Sequence, residues 1–125
     1  MTKAEARRAT KWFQEQWSIQ DWAVRVHISD NPPDWAEFEG GGMLGRCRYF
    51  PVYKTADVWI SPGRAADHFE EGVLNTLFHE LAHVVLHDQG IDGGADPHHA
   101  LVQRMAVVSG AAYQATRRPK KARRR

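Results

Sequence analysis

Hydrophobic positions recur along this chain with two different periods. Between residues 2 and 17 the spacing is three or four, which is typical of one face of an amphipathic helix. These positions are Ala6, Ala9, Phe13 and Trp17. Between residues 22 and 29 the spacing is two, which is typical of a strand with one buried face. These positions are Trp22, Val24, Val26 and Ile28. The pattern therefore predicts an N-terminal helix followed by a strand.

Two further strands are predicted after a loop. The loop is bracketed by residues 31–33 (Asn-Pro-Pro) and by residues 40–42 (three glycines), which disfavour both helix and strand. Residues 43–50 and 55–60 are then rich in strand-forming residues and are joined around Pro51. The sequence Ser-Pro-Gly at 61–63 closes the last strand, so we expect a small sheet of three strands.

The most apolar segment predicts a long buried helix. Asp67 is a candidate N-cap, and Glu70 and Glu71 fall in the first turn, where the helix dipole favours acids. The segment is apolar around most of its circumference, which indicates a helix at the centre of the domain. A group of glycines ends it: Gly90, Gly93 and Gly94.

A last helix is predicted to start at Asp96 and Pro97, which suit a cap and a first-turn position. Its apolar positions are Leu101, Val102, Met105 and Val108. The order of elements predicts one α+β domain over residues 1–116, followed by a tail over residues 117–125.

Composition narrows the class of protein. The chain has 125 residues, 42% of them hydrophobic and 26% charged, which suits a single folded domain. Cys47 is its one cysteine, so no disulfide can form within the chain. No signal-peptide core precedes Trp17, and no segment approaches the ~18 apolar residues of a membrane span. We expect a soluble protein of the reducing cytoplasm.

The charge is distributed unevenly. Seven bases lie within the last nine residues: Arg117, Arg118, Lys120, Lys121, Arg123, Arg124 and Arg125. The remaining 10 bases and 15 acids leave the domain itself at −5. Such a tail can bind the phosphate backbone of DNA without reading its sequence, or it can be a disordered, solubilising end.

The strongest chemical signal is His-Glu-Leu-Ala-His at residues 79–83, inside the long helix. His79 and His83 lie one turn apart, so both imidazoles can reach one zinc ion, which makes them candidate ligands. Glu80 lies beside them, where a carboxylate can take a proton from the attacking water. These three residues predict the core of a zinc metalloprotease.

A catalytic zinc site usually has three protein ligands and one open position. His98 is the favoured third ligand, because it begins a helical stripe through Val102 and Met105 that should face the long helix. His99, which leads towards Gln103 and solvent, remains an alternative, and Asp92 and Asp96 are further candidates. His87 is two turns from His79, too far along a rigid helix. Leu86 and Gln89 stand where a metzincin has its glycine and third histidine, which excludes that class.

With these residues in place, the chain resembles the SprT-like metalloprotease family, which includes the Spartan proteases. Residues 45–49 (GRCRY) are similar to the family's G-R-C-R-Y/W strand, and residues 58–62 (VWISP) to its I-x-L-S/N-P strand. Residues 75–83 (NTLFHELAH) are similar to its active-site helix, and residues 96–99 (DPHH) to its P-H-G turn. The resemblance covers residues 43–110. His99 replaces the family's glycine, and one cysteine cannot form the zinc ribbon of many members.

The resemblance implies a zincin-like minimal metalloprotease domain with one zinc ion bound by His79, His83 and His98. It implies Glu80 as general base and, more distantly, proteins held on or crosslinked to DNA as substrates. Two alternatives stay open. One is a regulatory zinc protease that cuts a specific partner such as a repressor. The other is a nucleic-acid-binding module in which zinc is only structural.

Overall fold

The computed structural model describes residues 1–36, 44–66, 72–91 and 98–117. Within these ranges the chain forms four α-helices around a small mixed sheet, which confirms the α+β class. The helices are α1 (Lys3–Gln16), α2 (Pro62–Ala66), α3 (Gly72–Asp88) and α4 (His98–Arg117). The strands are β1 (Ala23–Ile28), β2 (Gly45–Phe50) and β3 (Thr55–Ile60), and a single 3-10 turn covers Asp34–Ala36. None of the described helices is long and apolar enough to cross a membrane.

Helix α1 begins as its sequence predicts. The Thr2 hydroxyl accepts a hydrogen bond from the Glu5 N–H at 3.1 Å, and the Glu5 carboxylate accepts one from the Thr2 N–H at 2.7 Å. This capping box satisfies N–H groups that the first turn cannot pair. Ala6, Ala9 and Phe13 are buried, so the predicted apolar face packs into the core.

The three predicted strands form one sheet in the order β1, β3, β2. Strand β1 runs parallel to β3, and β2 runs antiparallel to it. The register aligns Val26, Val58 and Cys47 in one row across the sheet. Because side chains alternate along a strand, this row and its even-spaced neighbours face α1 and α3. The hydrophobic core lies between that face and the helices.

The opposite face of the sheet contains a buried ion-paired group. Asp57 on the central strand is 1% exposed and accepts hydrogen bonds from Arg25 on β1 and Arg48 on β2, each at 2.8 Å. Burial by itself would raise the pKa of Asp57, but the two guanidinium groups outweigh it and lower the pKa. The group crosslinks all three strands. Arg48 also lies over the Trp35 ring, 4.8 Å from its centroid.

Helix α2 was not expected, because residues 61–63 were predicted only to close β3. That strand does end at Ile60, and a five-residue helix follows it. The Asp30 carboxylate accepts hydrogen bonds from the Ser61 hydroxyl and the Gly63 N–H, both at 2.8 Å. Such a short helix is marginal by itself. It depends on this contact with a residue thirty positions earlier, which no local pattern reveals.

Helix α3 ends at the predicted glycine. Gly90 has a φ of +76°, and the N–H groups of Gly90 and Ile91 donate to the carbonyls of His87 and Leu86. This is a Schellman motif, in which a left-handed residue lets the chain satisfy the last carbonyls. Other predicted terminus residues lie outside the described part of the chain: Asp67, Glu70, Glu71, Gly93, Gly94, Asp96 and Pro97.

Helix α4 packs directly against α3. Val102 and Met105 are buried, as predicted, whereas Leu101 and Val108 are exposed. The two helices approach closely at Gly110, where a Cβ atom would lie 2.8 Å from the Asn75 Oδ1. This close contact fixes how α4 is rotated about its axis, and therefore which residues of its first turn face α3.

Candidate metal centre

His79 and His83 project from α3 on the same side, as their spacing predicts. Their ring centroids are 5.0 Å apart, and the rings are nearly perpendicular, at 69°. Both side chains are half-buried, in a helix whose other residues are mostly core. The local geometry of the helix thus brings two imidazoles to one place beside the core.

A third imidazole reaches the pair from α4. The ring of His99 lies 5.1 Å from that of His79 and 6.0 Å from that of His83, between centroids. One potential ligand nitrogen from each of the three lies within 4.8 Å of the others. Among the described residues, this is the group of three side chains positioned to hold a metal ion.

The third histidine of this group is His99, whereas His98 was the favoured residue from the sequence. His98 is exposed on the first turn of α4. The sequence favoured His98 because it begins the stripe through Val102 and Met105, which should face α3. The histidine group instead includes His99, at the edge of that stripe shared with Gln103 and Ala106, and these two residues line the cleft beside α3. His98 falls on the other edge, about 100° away around the helix axis.

The three histidines fit a zinc ion by donor type and by placement. Tetrahedral zinc with Zn–N distances of about 2.0–2.1 Å requires ligand nitrogens about 3.3 Å apart. The observed spread of 4.8 Å therefore needs rotation of the side chains towards one another by an ångström or so. Burial, together with the charges of His83 and His99, lowers the pKa of His79 to about 4. The neutral imidazole, which is the form that binds metal, is thus favoured at pH 7.

Glu80 lies beside the histidines and is buried, with 8% of its surface exposed. Burial raises the pKa of its carboxyl group to about 8, and the positive charge of Arg46 offsets only part of this effect. No ion pair of the described residues involves Glu80. A carboxylate in these surroundings has a high affinity for a proton, and a cation held by the histidines would counterbalance its charge.

A cleft of about 390 Å³ opens next to His79 and Glu80. Its walls come from α3, from α4 and from the start of β2, where Leu44 and Gly45 lie. A Cβ atom on Gly45 would lie 2.8 Å from the Trp59 carbonyl oxygen, so only glycine fits there without a shift. The cleft gives a ligand access to Glu80 and to His79 from one side.

The other residues named from the sequence lie elsewhere. The ring of His87 stacks on Tyr49, with centroids 4.3 Å apart, and does not join the three histidines. Arg117, the first base of the tail, ends α4 with its guanidinium 5.6 Å from the centroid of Tyr113. Several candidates lie outside the described residues: Asp92, Asp96, Arg118, Lys120, Lys121, Arg123, Arg124 and Arg125.

Comparison with known proteins yields no match, whether with family models, curated proteins or solved structures. The resemblance to the SprT-like family therefore rests on the motifs of the sequence.

Proposed function

We propose that this protein is a zinc-dependent endopeptidase of zincin-like architecture. The observation that supports the proposal is the convergence of His79, His83 and His99 beside a buried Glu80 at the wall of a cleft. The motif resemblance to the SprT-like family points to the same chemistry. The proposal replaces His98 with His99 as the third ligand.

Each residue has a specific role in peptide hydrolysis. The three histidines would hold the ion, which when bound supplies a Lewis acid and lowers the pKa of a water molecule. Glu80 accepts a proton from that water as its oxygen attacks the scissile carbonyl. Glu80 then donates the proton to the leaving amine nitrogen as the C–N bond breaks, so the carboxylate is regenerated.

The position of β2 supports an extended polypeptide as the substrate. Strand β2 is an outer strand of the described sheet and begins at the cleft. The Ser61 N–H donates to the Leu44 carbonyl, so the backbone polar groups of Leu44 point towards β3. Because direction alternates along a strand, the N–H and C=O groups of Gly45 point away from the sheet. A substrate main chain lying in the cleft can therefore pair with this edge.

The geometry favours catalysis over a purely structural zinc. Structural zinc sites are typically closed by four protein ligands, whereas catalytic sites have three and keep one position open. The described residues supply three candidate ligands, and the cleft reaches one of them, His79, together with Glu80. Association with DNA-bound substrates would use the tail of residues 117–125, whereas cleavage of one regulatory partner would not require it, and both stay predictions.

The test is a peptidase assay on fluorescein-labelled casein with metal-free protein, zinc-loaded protein and the zinc-loaded Glu80→Gln variant. We expect activity only with zinc, and a rate roughly 10²–10⁴-fold lower in Glu80→Gln at unchanged zinc content. Glu15→Gln, an exposed acid on α1, is the matched control and should cleave like the wild type. An inactive zinc-loaded wild type, or a fully active Glu80→Gln, would refute the proposal.

Deletion of residues 117–125 separates the substrate classes. If substrates are held on DNA, adding duplex DNA should accelerate cleavage by the full chain, and deletion should abolish the acceleration. An unchanged response to DNA after deletion would favour a regulatory protease in which the tail is incidental.

A further inference from the structure

A second surface, at the opposite edge of the sheet from the metal centre, has the features of a binding site. A groove of about 680 Å³ runs between α1 and β1. Strand β1 pairs only with β3 among the described strands, so its other edge has no strand partner within them. The metal centre adjoins β2, which is the opposite outer strand.

The open edge of β1 presents backbone groups that can pair with another chain. The Ala23 N–H donates to the Lys54 carbonyl, just before β3, and the Ser29 N–H donates to the Ile60 carbonyl, at the end of β3. The odd-numbered residues of β1 therefore direct their backbone groups towards β3. Because direction alternates along a strand, Val24, Val26 and Ile28 direct their N–H and C=O groups to the open edge. An extended peptide could hydrogen-bond to all three residues.

The groove is also strongly basic. Lys3, Arg7 and Lys11 line it from α1, and Arg25 and His27 line it from β1. None of the described lining residues is acidic, and no ion pair of the described residues involves the three bases of α1. The groove therefore complements a ligand with negative charges.

The spacing of these bases matches a strand. Each of Lys3, Arg7 and Lys11 is four residues from the next, which is about 6 Å along the helix axis. Side chains on one face of an extended peptide are about 6.6 Å apart. The Gln14 amide donates to the Trp22 carbonyl at 2.8 Å, which holds the end of α1 beside the start of β1, so the groove runs along the strand.

We infer that this groove, formed by α1 and the open edge of β1, binds an extended acidic segment of another protein by strand addition. Backbone pairing with β1 would supply a fixed geometry, and alternate acidic side chains would meet Lys3, Arg7 and Lys11. The inference does not depend on the proposed peptidase activity.

Fluorescence anisotropy measures the charge requirement with a labelled peptide of alternating Glu and Val, using the full chain throughout. Replacing the three bases, as Lys3→Gln, Arg7→Gln and Lys11→Gln together, should weaken binding roughly tenfold. The matched control removes three exposed bases outside the groove, as Arg8→Gln, Arg64→Gln and Arg104→Gln. It should retain the wild-type affinity, and equal loss in both triple variants would overturn the inference.

Amide hydrogen exchange measures the backbone requirement. Adding the peptide should slow amide exchange at Val24, Val26 and Ile28 by at least about fivefold, because their N–H groups become hydrogen-bonded. The N–H groups of Ala23, Arg25 and His27 already point to β3 and serve as internal controls. Binding without new protection at the three edge residues would overturn strand addition. Displacement of the peptide by oligo-dT, with none of this protection, would identify the groove as a nucleic-acid site instead.

Discussion

Asp57 and Glu80 are two buried carboxylates on opposite sides of the sheet, and their surroundings differ. Asp57 accepts hydrogen bonds from two guanidinium groups, and its pKa is lowered. Glu80 has no ion pair among the described residues, and burial raises its pKa to about 8. The same functional group is thus held ionised in one place and favours its protonated form in the other.

The difference shows how this small domain separates stability from chemistry. A buried carboxylate with two charged partners crosslinks strands and stays ionised near pH 7, so it does not take up a proton there. A buried carboxylate without a partner costs stability but can accept and release a proton, which is what a general base needs. A metal ion bound by the three histidines would be the missing counter-charge of Glu80.

The largest expected effect is on the affinity for the zinc ion that would neutralise Glu80. His99→Ala should lower zinc affinity more than about a hundredfold, since a lost ligand costs more than the 10–100-fold of an outer partner. His98→Ala is the neighbouring control and should change the affinity by less than about threefold. Titration against a chelator of known affinity measures both. A large loss in His98→Ala and none in His99→Ala would restore the assignment made from the sequence.

The next effect concerns the paired carboxylate. Asp57→Ala should lower the free energy of unfolding by about 2–3 kcal/mol, because it leaves two arginines without their shared partner. The cost stays below that of a fully buried pair, since the Arg25 and Arg48 side chains are 72% and 42% exposed and can be hydrated. Urea denaturation measures it. Glu15→Ala should change stability by less than about 0.5 kcal/mol, and an equally small effect at Asp57 would refute its structural role.

Substitution of Glu80 should change the free energy of unfolding in the opposite direction. In metal-free protein at pH 7, Glu80→Gln should raise the free energy of unfolding by about 1–2 kcal/mol, because the amide removes an acid that burial disfavours in its charged form. Urea denaturation in the presence of a chelator measures the change. A loss of stability would mean that Glu80 has a stabilising partner, and the contrast with Asp57 would fail.

The smallest effect is confined to acid pH. The folded-state pKa of Asp57 is depressed below its ordinary 3.8, so its stabilisation is present above that value and is lost as pH falls through the folded pKa. Asp57→Asn should therefore flatten the decline of stability as pH falls below about 3.8. Glu80→Gln should decline in parallel with the wild type, since Glu80 is protonated there in both states. The urea midpoints of unfolding, measured for the wild type and both variants across this pH range, test the prediction.

Most elements of the fold could be predicted because their signals are local. The apolar face of α1, the alternation of β1 and the glycine that ends α3 at Gly90 each depend on residues close together in the sequence. Helix α2 was missed although Ser61 and Pro62 suit a helix start, because its stability depends on Asp30. The stripe of α4 was identified, but its exact rotation against α3 was not, since Gly110 and Asn75 fix it through a contact between separate helices.

By itself, the sequence determined that His79, Glu80 and His83 share one side of a helix, because helix geometry follows from spacing alone. It also determined the three strands and the buried face of β1. Only the tertiary structure decided that His99 joins the group, that β1 has one edge without a strand partner among the described residues, and that two buried carboxylates differ in pKa. Each of these depends on which distant segments come into contact, and that is set by packing of the whole chain.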